Sequence, residues 1–118
     1  MAFNVYVKTA NGKSIMTFSE GYSRRVVDSL WKLERETVIK PKPGKCHLEA
    51  IYYLDRAIAV PLLLNEVEKL IQELMPYLEE PKGRYDYQKD LYHNYKKNSK
   101  TLESITADTL IFDVWDTS

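Results

Sequence analysis

The stretch Cys46-His-Leu-Glu-Ala-Ile-Tyr-Tyr-Leu-Asp-Arg-Ala-Ile-Ala-Val60 decides how many strands this chain can have. Read at helical spacing, it turns Leu48, Ile51, Tyr52, Leu54 and Ile58 inward. A helix there leaves strand signals only at the two ends of the chain. At the N-terminus, Asn11-Gly12 stands between two strand-like runs and suits a two-residue type I′ turn. Closing that turn pairs Ala10 with Lys13, Val7 with Met16 and Val5 with Phe18. Phe3, Val5, Val7, Met16 and Phe18 then share one face, while Asn4, Tyr6, Lys8, Ile15 and Thr17 share the other. At the C-terminus, Thr109 to Trp115 is a strand by composition, with Leu110, Phe112 and Val114 alternating with Ile111, Asp113 and Trp115.

Working outward, the spacing predicts a helix over about 22–37, with Val26, Val27, Leu30, Trp31, Leu33 and Val38 as its apolar stripe. Lys40-Pro41-Lys42-Pro43-Gly44-Lys45 reads as a stiff basic connector without regular structure. Pro61 kinks the 46–60 helix or opens the next one, which runs over 62–79. There Leu63, Leu64, Val67, Leu70, Ile71, Leu74 and Leu78 face in, and Asn65, Glu66, Glu68, Lys69, Gln72 and Glu73 face water. Pro81-Lys82-Gly83 ends it, and a further helix covers 84–105.

The expected fold is therefore α+β, a single domain over 1–118. A small three-stranded antiparallel sheet, the N-terminal hairpin plus the C-terminal strand, packs against three to four helices. Its core joins Phe3, Val5, Val7, Met16 and Phe18 to Leu30, Val67, Leu70 and Leu74.

At 118 residues the chain has room for one core and buries roughly 65% of its unfolded surface, enough to fold without staples. A single cysteine, Cys46, excludes an intramolecular disulfide and a cysteine zinc cluster. The beginning Met-Ala-Phe-Asn-Val-Tyr is not a signal peptide. The longest apolar run, Ala57 to Leu64, is far below the roughly 20 residues that span a bilayer. The expected location is cytoplasmic.

Net charge is zero, but the charges lie in blocks. Residues 1–44 hold eight basic and four acidic side chains, 45–80 three and seven, 81–100 six and two, and 101–118 none and four. Neutrality removes long-range attraction for nucleic acid or membrane, so electrostatic recognition must be local.

Catalytic sets are missing from the sequence. Cys46 and His47 are neighbours and point about 100° apart on a helix, so they form no nucleophile–base pair. His93 follows Asp90 by three residues, but nothing supplies further metal ligands. Glu66, Glu68 and Glu73 lie on a solvated helix face. No nucleotide-binding, nucleophile-elbow or zinc-protease motif occurs, and Gly12, Gly21, Gly44 and Gly83 each sit at a break. No enzyme activity, cofactor or metal is expected.

What remains is a helix with two faces and an excess of tyrosine. Lys89, His93, Lys96, Lys97 and Lys100 line one side of 84–105, while Leu91, Tyr95, Leu102 and Ile105 line the other. Nine tyrosines include Tyr52, Tyr53, Tyr85, Tyr87, Tyr92 and Tyr95. Tyr53 and Tyr85 are expected at the surface, and Tyr52, Tyr87, Tyr92 and Tyr95 at the core boundary. Tyrosine favours protein interfaces. The reading is a small protein without catalysis that binds another protein: a stoichiometric inhibitor, an immunity-type protein or an adaptor. Its contact residues are Arg84, Tyr85, Lys89, His93, Lys96 and Lys97. A second reading is nucleic-acid binding through the same basic face, with Arg24, Arg25, Lys40, Lys42 and Lys45. A third is a small ligand held between sheet and helices. A homodimer is also expected, through the charged faces or an unpaired edge of strand 109–115.

Overall fold

The computed structural model describes residues 2–117. It contains β1 (Phe3–Thr9), β2 (Ser14–Phe18), α1 (Arg24–Arg35), β3 (Lys42–Pro43), β4 (Leu48–Asp55), α2 (Arg56–Leu74), a 3-10 turn (Met75–Glu79), α3 (Asp86–Glu103) and β5 (Thr109–Asp116). The strands form one antiparallel sheet in the order β2-β1-β5-β4-β3, with the helices on one face.

The expected three-stranded sheet is thus corrected to five strands, and the cause is the 46–60 stretch. Tyr52 and Leu54 are buried opposite Phe112 and Leu110, while Ile51 and Tyr53 point to the opposite face. That is a period of two. Of the inward residues counted for a helix, Tyr52 and Leu54 also fit the covered side of a strand, and the run Ile51-Tyr52-Tyr53 is β-branched and aromatic. The helix begins only at Arg56. The basic connector is corrected too: Lys42 pairs with Ile51 and Pro43 with Ala50 as a two-residue edge strand. An edge position tolerates proline because its missing N–H need serve only one side.

β5 lies in the middle, hydrogen-bonded to β1 and to β4. The expected unpaired edge at 109–115, and a dimer through that edge, are therefore excluded; the edges are β2 and β3. The hairpin keeps its register, Val5 with Phe18 and Val7 with Met16, but not its turn. Thr9 N donates to Lys13 O at 2.9 Å, Gly12 N donates to Thr9 O at 2.9 Å, and Lys8 pairs with Ser14. Gly12 alone takes the left-handed backbone of the turn, at φ 88°, so the loop has three residues instead of two.

α1 buries Val26, Val27 and Leu30 as its stripe requires, whereas Val38 lies past the end of the helix at Arg35 and is exposed. α2 stops at Leu74 because Pro76 cannot continue the hydrogen-bond ladder, and Met75–Glu79 tightens into 3-10 geometry. Its polar side holds one exception. Glu66, expected in water, is only 3% exposed. One carboxylate oxygen accepts from Ser29 Oγ at 3.2 Å, and the other is buried without a hydrogen-bond partner. α1 lies across that part of α2, so a position polar by helical phase is covered by a neighbour the phase cannot show.

The core is one cluster between the covered face of the sheet and the helices, and it contains every residue expected there. Phe3 meets Trp31 edge-on at 5.8 Å, and Phe18 stacks on Tyr95 at 5.8 Å. Gly44 allows the tight β3–β4 connection: a Cβ at that position would lie 1.9 Å from the Leu48 carbonyl oxygen.

Candidate functional site

Two surfaces on opposite sides of the molecule concentrate chemistry. The first is the outer face of α3. Its inner residues Tyr95 and Leu102 are buried, which turns the basic stripe outward. Arg84, Tyr85, His93, Lys96, Lys97 and Lys100 are exposed. The structure divides this group. Lys89 Nζ bends back to donate to Glu80 O at 2.8 Å and Pro81 O at 3.1 Å, closing the end of the 3-10 turn. Tyr85 packs its ring against Tyr77 at 4.9 Å and takes a left-handed φ of 55° just before α3. Lys96 lies 5.9 Å from the Tyr92 ring centre, and His93 meets Tyr92 edge-on at 5.3 Å. Arg84, Lys96, Lys97 and Lys100 form no ion pair among the described residues, whereas Lys8, Arg24, Arg25 and Lys69 do. Tyr87, expected at the core boundary, is exposed; it sits in the first turn of α3, beyond the reach of the core.

The second surface is the open face of the sheet, which the helices leave bare. Strand alternation sends Tyr6 and Lys8 from β1, Ile51 and Tyr53 from β4, and Ile111, Asp113 and Trp115 from β5 to this side. Tyr6 is 41% exposed and Tyr53 46%. Lys8 Nζ pairs with Asp113 Oδ2 at 2.9 Å. Lys42 Nζ lies 4.6 Å above the Tyr53 ring. Register places Tyr6 opposite Asp113 and Asn4 opposite Trp115, so Tyr6 and Trp115 are diagonal neighbours on adjoining strands. They wall two adjoining clefts. One, of about 500 Å³, contains Lys8, Ser14 and Asp113; the other, of about 350 Å³, contains Asn4 and His47. The side chain of Asp113 is 13% exposed, and its Oδ1 has no hydrogen-bond partner. Alternation had separated this face from the core face on β1 and β5. Only the strand at 48–55 adds Ile51 and Tyr53 to it.

Elsewhere the chemistry is sparse. Cys46 is exposed, at φ 58° in the β3–β4 connection. Among the described residues, no three His, Cys, Asp or Glu side chains group to hold a metal. No helix there is long and apolar enough to cross a membrane. The core cluster fills most of the space between sheet and helices; a cleft of about 330 Å³ remains at its side, where Trp31 and Glu34 of α1 meet Phe3, Tyr52 and Val114 of the sheet. A hydroxyl-rich cleft of about 590 Å³ lies outside it, between the hairpin tip and the α3–β5 connection. Two buried tyrosines are perturbed. Burial pushes the Tyr95 phenol above its ordinary value, with the neighbouring Tyr87 and Tyr22 adding to the rise. Burial does the same for Tyr52, reinforced by its hydrogen bond to the Glu34 carboxylate at 2.9 Å and by that charge.

Compared with protein-family models, characterised proteins and solved structures, the chain matches none.

Proposed function

We propose that this is a non-catalytic protein-binding protein, of the inhibitor, immunity or adaptor kind, that docks the outer face of α3 on an acidic surface of another protein. One observation carries the reading: Lys96, Lys97 and Lys100 stand together on the outer side of α3, and Arg84 in the turn before it, all without an ion pair among the described residues. His93 adds a further donor on the same side. An acidic partner would gain several charge contacts from this row at little conformational cost, because the helix already holds them in line. Tyr85 and Lys89 support the rim of the surface through Tyr77 and the turn carbonyls.

The test is quantitative affinity capture from the native cell with the wild type and the Lys96→Glu/Lys97→Glu variant. The partner should be lost on charge reversal, and wild-type capture should weaken as salt rises, since screening shortens to a few Å near molar salt. Equal recovery by both proteins would remove α3 as the docking surface.

A further inference from the structure

The geometry points to a second binding site: the cleft where α1 meets the β3 side of the sheet takes the guanidinium of an arginine side chain from a partner protein, held by Glu34 against Trp31. No residue of α3 lines this cleft, so the site does not depend on the reading given to that helix.

The argument starts from the carboxylates. Glu34 is fixed in place, because the Tyr52 hydroxyl donates to its Oε2 at 2.9 Å. Its Oε1 has no hydrogen-bond partner among the described residues and stays accessible in the cleft. Glu49 stands exposed at the rim. Neither carboxylate joins an ion pair among the described residues. One cation, Lys42, also lines the cleft, but its ammonium lies 4.6 Å above the Tyr53 ring, on the opposite face of the sheet. Arg24, 5.4 Å from the Trp31 ring, is already paired with Asp28. The cleft therefore carries negative charge that nothing in it answers. An anion is repelled there. A neutral apolar group would strip water from Glu34 and replace none of its hydrogen bonds.

The walls choose among cations. The cleft measures about 330 Å³. Buried Phe3, Tyr52 and Val114 make its floor, with half-buried Trp31 and the rings of Pro41 and Pro43 around it. An aromatic face attracts a cation, and Trp31 already does so with Arg24. A guanidinium is flat and weakly hydrated, and its N–H donors lie in its own plane. It can lie along a ring and donate to Glu34 Oε1 at once. A lysine ammonium holds its water more tightly. A quaternary ammonium has no N–H to give that oxygen. A metal ion needs more ligands, and the described residues group no three. Free arginine brings its own carboxylate, which Glu34 and Glu49 repel while Lys42 is turned away. Arginine within a chain carries no such charge, so the source is a protein.

Trp31 reports on the site. The chain has two tryptophans, so in a Trp115→Phe background its indole N–H gives the one tryptophan side-chain resonance, and the same NMR spectrum checks folding. The probe is the capped peptide acetyl-Gly-Arg-Gly-amide. Its lysine, trimethyllysine and citrulline counterparts and free arginine are titrated in parallel. The arginine peptide should shift the resonance saturably. The citrulline peptide, its neutral isostere, should not, and the other three should bind at least about fivefold more weakly. Glu34→Gln keeps an acceptor for Tyr52 and should weaken the arginine peptide about tenfold. No saturable shift would overturn the site. Equal binding of the citrulline peptide would overturn the cation, of either lysine peptide the guanidinium, and of free arginine the protein source. Unchanged affinity in a folded Glu34→Gln variant would overturn Glu34 as the anchor.

Discussion

The two faces of the sheet are built from the same strands and obey different rules. On the covered face, Val5, Val7, Phe18, Leu110 and Phe112 have no contact with water, and their neighbours are aliphatic or aromatic. On the open face, alternating positions of those strands carry Tyr6, Lys8, Asp113 and Trp115, with rings partly in solvent and charges in pairs. Burial on one side supplies stability through area and close packing. The other side contributes much less to stability, so its residues are free to serve recognition.

The largest expected effect tests this division on a single strand and its nearest neighbour. Phe112→Ala should lose about 3–5 kcal/mol in urea unfolding, because it empties the centre of the covered face. Tyr53→Ala, on β4 and pointing the other way, should lose less than about 1 kcal/mol. Similar losses would mean that the open face is as structural as the covered one.

Glu66 is the covered side's own exception and gives an intermediate effect. Its buried, half-satisfied carboxylate should cost stability, so Glu66→Leu should raise the urea midpoint, by an equivalent of about 1 kcal/mol. A loss instead would show that the Ser29 hydrogen bond and the Lys69 ammonium, 3.8 Å from the same oxygen, outweigh the burial of the charge.

The smallest effect compares two phenols on the covered side. The Tyr95 hydroxyl is buried without a partner, so Tyr95→Phe should gain up to about 1 kcal/mol at neutral pH. Tyr52→Phe removes the hydrogen bond to Glu34 and should lose about 1 kcal/mol. Both phenols are raised from the ordinary 10.0. The folded state therefore holds protons that the unfolded chain releases above that pH. Their contribution is complete below pH 10 and is lost as pH rises beyond it, so unfolding should become easier in alkali. The decline should be shallower in Tyr95→Phe. Urea midpoints measured on both sides of pH 10 decide this, and equal slopes for wild type and variant would show that Tyr95 titrates normally.

Much of the framework was legible in local pattern. The hairpin register followed from two faces of opposite polarity, which admit only one pairing of Val5 and Val7 with Phe18 and Met16. α1, the inward residues of α2, and α3 with its outward cations followed from helical spacing, and the exposure of Tyr53 and Tyr85 from their place outside the apolar stripes. Tertiary structure decided the rest. Residues 48–55 satisfy helix and strand templates together. Only β5, which has hydrogen-bonding groups on both sides and β1 on one of them, gives that segment a ladder to join. The same pairing makes β5 central, turns a proline-rich connector into an edge strand and brings Ile51 and Tyr53 onto the same face as Trp115. Glu66 and Lys89 follow the same logic. Helical phase tells which way a side chain leaves its own helix, but only the packed neighbour determines whether water or another chain segment meets it there.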